Sequence, residues 1–240
     1  MLKTKPDPAD GPVWMNVVLY GPPKTGKTVA AGSAPSKVLY VNCDLPNATR
    51  LAHKMNPGAI TEVEFEGLQT MIDIVTELKK QKSDTSDETG FKTVVVDPIG
   101  ELYRRLLDEA SNKAVRPTLN QYGDVGVHIE RFCRALCQLD VNVIIVAHEI
   151  ADKDEGNGSM MYLPFCGTGN PKLAQKLMGM VDVVGYTGLI QQEDGTKRYV
   201  AQLTPAGGRR GGDRFDVLGD VRETNLSEWY SLINEGVENE

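Results

Sequence analysis

Apolar residues along this chain fall into short, nearly unbroken runs separated by stretches of helical spacing. Residues 13–20 (VWMNVVLY), 37–44 (KVLYVNCD), 93–97 (TVVVD) and 141–148 (VNVIIVAH) read as strands buried on both faces. Residues 60–66 (ITEVEFE) alternate and read as a shorter third strand. Leu68, Met71, Ile72, Val75 and Leu78 recur at helical spacing and predict an amphipathic helix over 67–81. Leu102 and Leu106, with Tyr103, predict a second from Ile99 to Asn112. Asp124 is a candidate cap for a helix running to Leu139, Pro171 suits the first turn of a short one, and a closing helix is expected over about 225–235. VDVVGYTGLIQ and KRYVAQLT flank an Asp-Gly turn and predict a hairpin.

Strand alternating with helix predicts an α/β fold, a mostly parallel central sheet flanked by helices with a C-terminal β-hairpin. Four stretches break the pattern. Residues 81–90 are polar and read as a surface loop, and 113–123 read as a second loop. Residues 149–170 are Gly-rich and without periodicity, and a loop of that length inside a compact domain is usually functional. Residues 205–214 (PAGGRRGGDR) form another Gly-rich loop.

One stretch between the first strand and the helix after it carries chemistry. GPPKTGKT, Gly21 to Thr28, satisfies the spacing G-x-x-x-x-G-K-[ST] of a phosphate-binding P-loop. Gly21 and Gly26 let the backbone curl so that the amides of Pro22, Pro23, Lys24, Thr25 and their neighbours line a cradle, prolines contributing shape but no N–H. Lys27 is spaced to reach β- and γ-phosphate oxygens and Thr28 to ligate Mg²⁺, and Val29 closes the expected nucleotide-binding stretch Gly21 to Val29 as the helix opens. ATP and Mg²⁺ are therefore the expected cofactors.

Asp97 ends an apolar strand, where a Mg²⁺-organising carboxylate belongs; a helix-capping role competes but is weakened by Pro98. A water-orienting carboxylate is also required, and two compete: Asp44 at the tip of the second strand and Glu101 in the first turn after Asp97. Asp44 is preferred, because Glu101 has a ready explanation as a favourable charge near a helix N-terminus. His148 ends a strand directly before the long loop and is a candidate γ-phosphate sensor, with a satisfied core histidine as the alternative.

Composition narrows this little. The 240 residues suit one α/β domain, expected over 13–240 behind a short flexible arm at 1–12. No apolar run approaches a membrane span, and the first twelve residues lack the apolar core of a secretory signal. Cys43, Cys133, Cys137 and Cys166 lack zinc-site spacing and read as buried thiols in a reducing cytoplasm. A net charge of −7 argues against a uniformly basic surface but leaves room for a local basic groove.

The order of P-loop, Asp44, TVVVD, VIIVAH, Gly-rich loop, GTGNPKLAQKLMGMVDVVGY and hairpin resembles the ATPase core of RecA-type recombinases across most of 13–218. It is most similar to the minimal phage-encoded RecA-like proteins of single-strand annealing and recombination. The resemblance implies a DNA-stimulated ATPase in the cytoplasm of a phage-infected bacterium. It implies single-stranded DNA as partner, a cognate single-strand-binding protein as a further one, and head-to-tail assembly with ATP between subunits. Residues 113–122 and 149–170 would be the DNA loops, Asp44 would stand where the family often has Glu, and His148 where RecA has Gln. Lys113, Arg116, Lys153, Lys172 and Lys176 lie in or beside those loops as candidate phosphate contacts, and Tyr122, Tyr162 and Phe165 as candidate stacking faces. Asp152, Asp154 and Glu155 oppose this. Arg209 and Arg210, between two glycine pairs, are the implied trans contacts to the γ-phosphate of a neighbouring subunit. The alternatives kept open are a P-loop switch or helicase-loader-like ATPase acting on a protein and, less favoured, a small-molecule kinase.

Overall fold

The computed structural model describes residues 12–35, 37–83, 90–153, 156, 158–168, 171–192 and 194–237. The expectations for the N-terminal arm, for Asp154, Glu155 and Gly169, and for most of the 81–90 loop lie outside the described residues. The elements are β1 (Asn16–Gly21), α1 (Lys27–Gly32), β2 (Val38–Asn42), α2 (Arg50–Met55), β3 (Ile60–Glu64), α3 (Leu68–Ser83), β4 (Thr93–Asp97), α4 (Ile99–Ala110) and α5 (Leu119–Leu136). They continue with β5 (Asn142–Lys153), β6 (Met160–Phe165), α6 (Pro171–Met180), β7 (Val183–Gln191), β8 (Lys197–Gln202), β9 (Gly212–Asp213), β10 (Val221–Glu223) and α7 (Leu226–Val237).

The sheet runs β10-β8-β7-β1-β5-β4-β2-β3. Its middle, from β7 through β1, β5, β4 and β2 to β3, is parallel throughout. Antiparallel pairs are confined to the additions: β7 with β8 and β9, β8 with β10, and β5 with β6. This is an α/β P-loop NTPase fold, with the predicted parallel core and terminal hairpin.

The apolar runs are unbroken because both faces of the central strands are covered. On one face Val18, Tyr20, Val94, Val96, Val143 and Ile145 pack under Leu102, Leu106, Ile129, Phe132 and Leu177 of α4, α5 and α6. On the other, Val17, Leu19, Ile144, Val146 and Tyr40 pack under α1 and under Leu226, Trp229 and Ile233 of α7. Trp229 is completely buried and donates its indole N–H to the Glu223 carbonyl at 2.8 Å, so α7 is locked onto the second face.

Three expectations need correction. The 149–170 segment is not an aperiodic loop. β5 runs on to Lys153 and β6 returns beside it, with His148 opposite Phe165 and Lys153 opposite Met160. Interstrand pairing outweighs the poor strand composition of this segment. The helix expected from Asp124 begins at Leu119, because Thr118 and Gln121 form a reciprocal capping box that satisfies the first-turn amides. The 205–214 stretch is also partly paired, with Gly212 opposite Val184. Two short elements, α2 and β10, were not anticipated. All four cysteines are free thiols, three of them buried.

Candidate nucleotide site

Parallel strands expose backbone amides and side chains at their C-terminal edge, where α/β proteins bind ligands. Here that edge brings the tips of β1, β5, β4 and β2 side by side, with Gly21 in register with His148 and Asn42 with Asp97. The loop after β1 turns sharply. Gly21 has φ 149° and Gly26 φ 82°, both in the region that favours glycine. A Cβ at Gly21 would sit 2.7 Å from the Thr187 carbonyl oxygen, and one at Gly26 would sit 2.7 Å from the Tyr199 ring. Lys24 also takes a left-handed φ of 66°. Thr25 is buried and pairs its hydroxyl with Thr187 at 2.7 Å, tying the loop to β7. Pro23 and Lys24 are exposed, while Pro22, Thr28 and Val29 are half-buried.

Lys27 is 5 % exposed and folds back over the loop, donating to the carbonyls of Gly21 at 2.9 Å and Pro22 at 2.5 Å. Burial depresses its ammonium to about 8, against the opposing pull of the Asp97 and Glu149 carboxylates. A lysine held this way lacks a full counter-charge, which the oxygens of a bound phosphate would supply. Asp97 is 6 % exposed, and its Oδ2 accepts from the Thr28 hydroxyl at 2.7 Å and from Tyr40 at 2.5 Å. Burial pushes its carboxyl above the ordinary range, while those two hydrogen bonds pull the other way. A buried carboxylate beside a threonine hydroxyl is a hard oxygen pair suited to Mg²⁺.

Asp44 lies two residues past the end of β2 and is exposed. Its Oδ1 accepts from the Leu45 amide at 2.8 Å, yet its charge is felt by Asp97. Glu101 instead pairs with Arg104 one turn along α4, at 2.9 Å. His148 is half-buried, and its Nδ1 is buried without a hydrogen-bond partner.

Several residues here were not anticipated. Glu149 follows His148 on β5, accepts from the Tyr186 hydroxyl at 2.8 Å, and acts electrostatically on Lys27. Tyr20, the residue before Gly21, donates to the carbonyls of Tyr162 at 3.0 Å and Arg210 at 2.7 Å and accepts from the Arg210 amide. The sequence signal available was Tyr20 itself, a hydroxyl at the end of an otherwise apolar run.

The candidate DNA and trans residues are spread more widely. Arg209 does not project from a free loop: its guanidinium lies 4.7 Å from the Tyr186 ring centroid and 5.9 Å from that of Tyr162. Arg210 is exposed, with Nη2 on the Met161 sulfur at 3.0 Å. Tyr162 is thus engaged internally, and Phe165 packs where a Cβ on Gly100 would meet its ring. Lys172, Lys176 and Tyr122 line one groove of about 440 Å³ between α5 and α6, together with Gly123 and Gly126. Lys176 is paired with Glu130 there, at 2.6 Å. Lys113 and Arg116 are exposed on the α4–α5 connection, and Lys153 lies at the end of β5, apart from that groove. Among the described residues no cluster of metal-ligating side chains of zinc type occurs, and no helix is long and apolar enough to cross a membrane.

A glycine-hinged phosphate loop, a buried lysine and a threonine–aspartate pair at the edge of a parallel sheet define a P-loop NTPase. The chain belongs to the AAA domain family, whose model matches residues 15–215, and is an AAA-type P-loop ATPase domain. No curated protein matches it. Similar solved structures include the flagellar accessory protein FlaH from Methanocaldococcus jannaschii, 14% identical over 82% of this chain and 79% of that one, with a TM-score of 0.39. Another is an ATPase from the type III secretion system of pathogenic bacteria, 9% identical over 72% of this chain and 51% of that one, with a TM-score of 0.48.

Proposed function

We propose that the chain is a Mg²⁺-dependent, single-stranded-DNA-binding ATPase of recombination or strand annealing, hydrolysing ATP between head-to-tail copies. The observation that carries the ATPase part is the Lys27–Thr28–Asp97 arrangement beside the Gly21–Gly26 cradle. The loop amides and Lys27 bind the triphosphate, and Thr28 with Asp97 hold the metal ion. When bound, Mg²⁺ neutralises charge on the β- and γ-oxygens. Asp44 orients the attacking water and takes its proton as the bond from the γ-phosphorus to the bridging oxygen breaks. His148, with its unpartnered Nδ1 in register with Gly21, reports the γ-phosphate to the β5–β6 hairpin that begins beside it. Arg209 and Arg210 serve the neighbouring subunit's site once released from Tyr186 and Met161.

DNA binding is supported by the groove in which Lys172, Lys176 and Tyr122 meet, with Lys113 and Arg116 on the adjoining connection. Fluorescence anisotropy with a labelled single-stranded oligonucleotide tests this. ATP-dependent binding that weakens steeply with salt is expected; no binding at low salt overturns it. The second reading, an ATPase switch or helicase-loader-like protein acting on a protein partner, is favoured by Val115 and Leu119. They stand 97 % and 88 % exposed, Val115 on that same connection and Leu119 at the start of α5.

A further inference from the structure

The Asp44 carboxylate stands on a turn that leads into Pro46, and beyond its own bond to the Leu45 amide the structure holds that turn from one buried side chain. Asn42, the last residue of β2, is 5 % exposed and uses both ends of its amide. Its Oδ1 accepts from the Asp44 amide at 2.9 Å. Its Nδ2 donates to Glu62 Oε1 at 2.7 Å and, more weakly, to the Leu45 carbonyl at 3.5 Å. Glu62, on the edge strand β3, is fixed in turn through its other oxygen, which takes the Thr49 hydroxyl at 2.7 Å and pairs with His53 Nε2 at 2.8 Å. These donors hold the Glu62 carboxyl below its ordinary range against the opposing cost of burial, so it remains an acceptor at neutral pH. A carboxamide has a fixed donor end and a fixed acceptor end, so anchoring Nδ2 on Glu62 dictates that Oδ1 faces the Asp44 amide.

An edge-strand carboxylate gripped by three side chains is more than β3 needs in order to pair. β3 already matches β2 from Val38–Ile60 to Asn42–Glu64 through backbone bonds. On the far side of the turn, Arg105 of α4 donates to the Asp44 carbonyl at 3.3 Å and to the Phe65 carbonyl at 2.6 Å. The turn is therefore clamped between β3 and α4, next to Asp97, whose carbonyl accepts from the Cys43 amide at 2.8 Å. We propose that Asn42 and Glu62 are positioning residues for hydrolysis, setting the Asp44 carboxylate relative to Asp97 without touching nucleotide. This rests on the assignment of Asp44 as the water-orienting base.

The test is steady-state ATP hydrolysis by the full chain, with nucleotide Kd from a fluorescent ATP analogue and Tm measured on the same samples. The variants are Asn42→Ala, Glu62→Ala, Glu62→Gln, Asp44→Asn and the double variant Asn42→Ala/Asp44→Asn. Asn42→Ala and Glu62→Ala should each lower kcat by about tenfold, the cost of a misplaced catalytic group, with KM and Kd held within about twofold. Glu62→Gln should recover most of the loss, since its amide oxygen still accepts from Asn42. The double variant should be no slower than Asp44→Asn alone, because a misplaced base and a missing one are the same defect. If burial makes Asn42→Ala unstable, the solvent-edge Glu62 pair carries the test. Wild-type kcat in folded Glu62→Ala, or a double variant slowed by the product of its two singles, overturns the positioning role while leaving Asp44 as base. An Asp44→Asn enzyme that turns over at the wild-type rate overturns the Asp44 assignment and the positioning role together.

Discussion

The two ends of the proposed activity are built differently. Beside the tips of β1, β4 and β2, Thr28 and Tyr40 both donate to Asp97 and Lys27 donates to the Gly21 and Pro22 carbonyls, all at 2.5–2.9 Å, and Lys27 and Asp97 are nearly inaccessible. Around α5 and α6, Lys113, Arg116, Lys172 and Tyr122 are exposed, and Lys176 makes a surface pair with Glu130. Phosphoryl transfer needs charges fixed before the substrate arrives, since reorganisation at the moment of reaction raises the barrier. Binding a flexible polyanion needs cations that adapt, and solvated lysines supply that at little structural cost. Single substitutions should therefore be catastrophic at the first region and graded at the second.

Lys27→Ala tests the catastrophic side most severely. It removes the cation of the cradle and should reduce hydrolysis by about 10²–10³-fold or more, with weakened nucleotide binding; near-normal turnover removes the P-loop assignment. Asp44→Asn should slow hydrolysis by about 10²-fold while leaving ATP affinity nearly intact. Glu101→Gln is its control, and because Glu101 is paired with Arg104 it should have little effect. A larger loss in Glu101→Gln than in Asp44→Asn exchanges the two roles.

Arg209 is docked on the Tyr186 ring of its own chain. Arg209→Ala/Arg210→Ala should bind ATP yet lose assembly-dependent turnover. Mixed with Lys27→Ala subunits it should regain part of it, each partner supplying what the other lacks. Co-assembled mixtures that never exceed the sum of the separate proteins exclude a trans role.

A pH series gives a smaller, sharper signal. Burial depresses the Lys27 ammonium to about 8, and phosphate oxygens would raise that value on binding. ATP binding then takes up a proton, so affinity is highest below 8 and falls above it, approaching about tenfold per pH unit. Calorimetry in buffers of different ionisation enthalpy should detect the uptake between about pH 8 and 9, and Lys27→Met should lack it. The graded side predicts least: Lys172→Ala/Lys176→Ala should leave ATP hydrolysis without DNA unchanged and lower the salt slope of single-strand binding by about 1.4, two phosphate contacts at about 0.7 each.

How far the sequence reveals these regions follows the same division. The P-loop spacing and the strand ending in Asp97 are local signals, and the parallel core around them was readable because fully buried strands are continuous apolar runs. The β5–β6 hairpin was not, since AHEIADK and MMYLPF gain strand geometry only by pairing with each other. The start of α5 is carried by the Thr118–Gln121 box, a T-x-x-Q spacing that stands in the sequence upstream of Asp124 within the stretch expected as a loop. Asn42, Glu62 and Thr49 meet only through strand register and the packing of α2, and so do Glu149, Tyr186 and Arg209 through β5, β7 and the loop before β9. Such clusters leave no spacing along the chain.

The most direct measurement is Mg²⁺-dependent ATP hydrolysis with and without single-stranded DNA, across a salt series. DNA should accelerate turnover, with the acceleration lost as salt rises and absent in Lys27→Ala. Turnover indifferent to DNA at every salt concentration, or accelerated only by a protein, would contradict it.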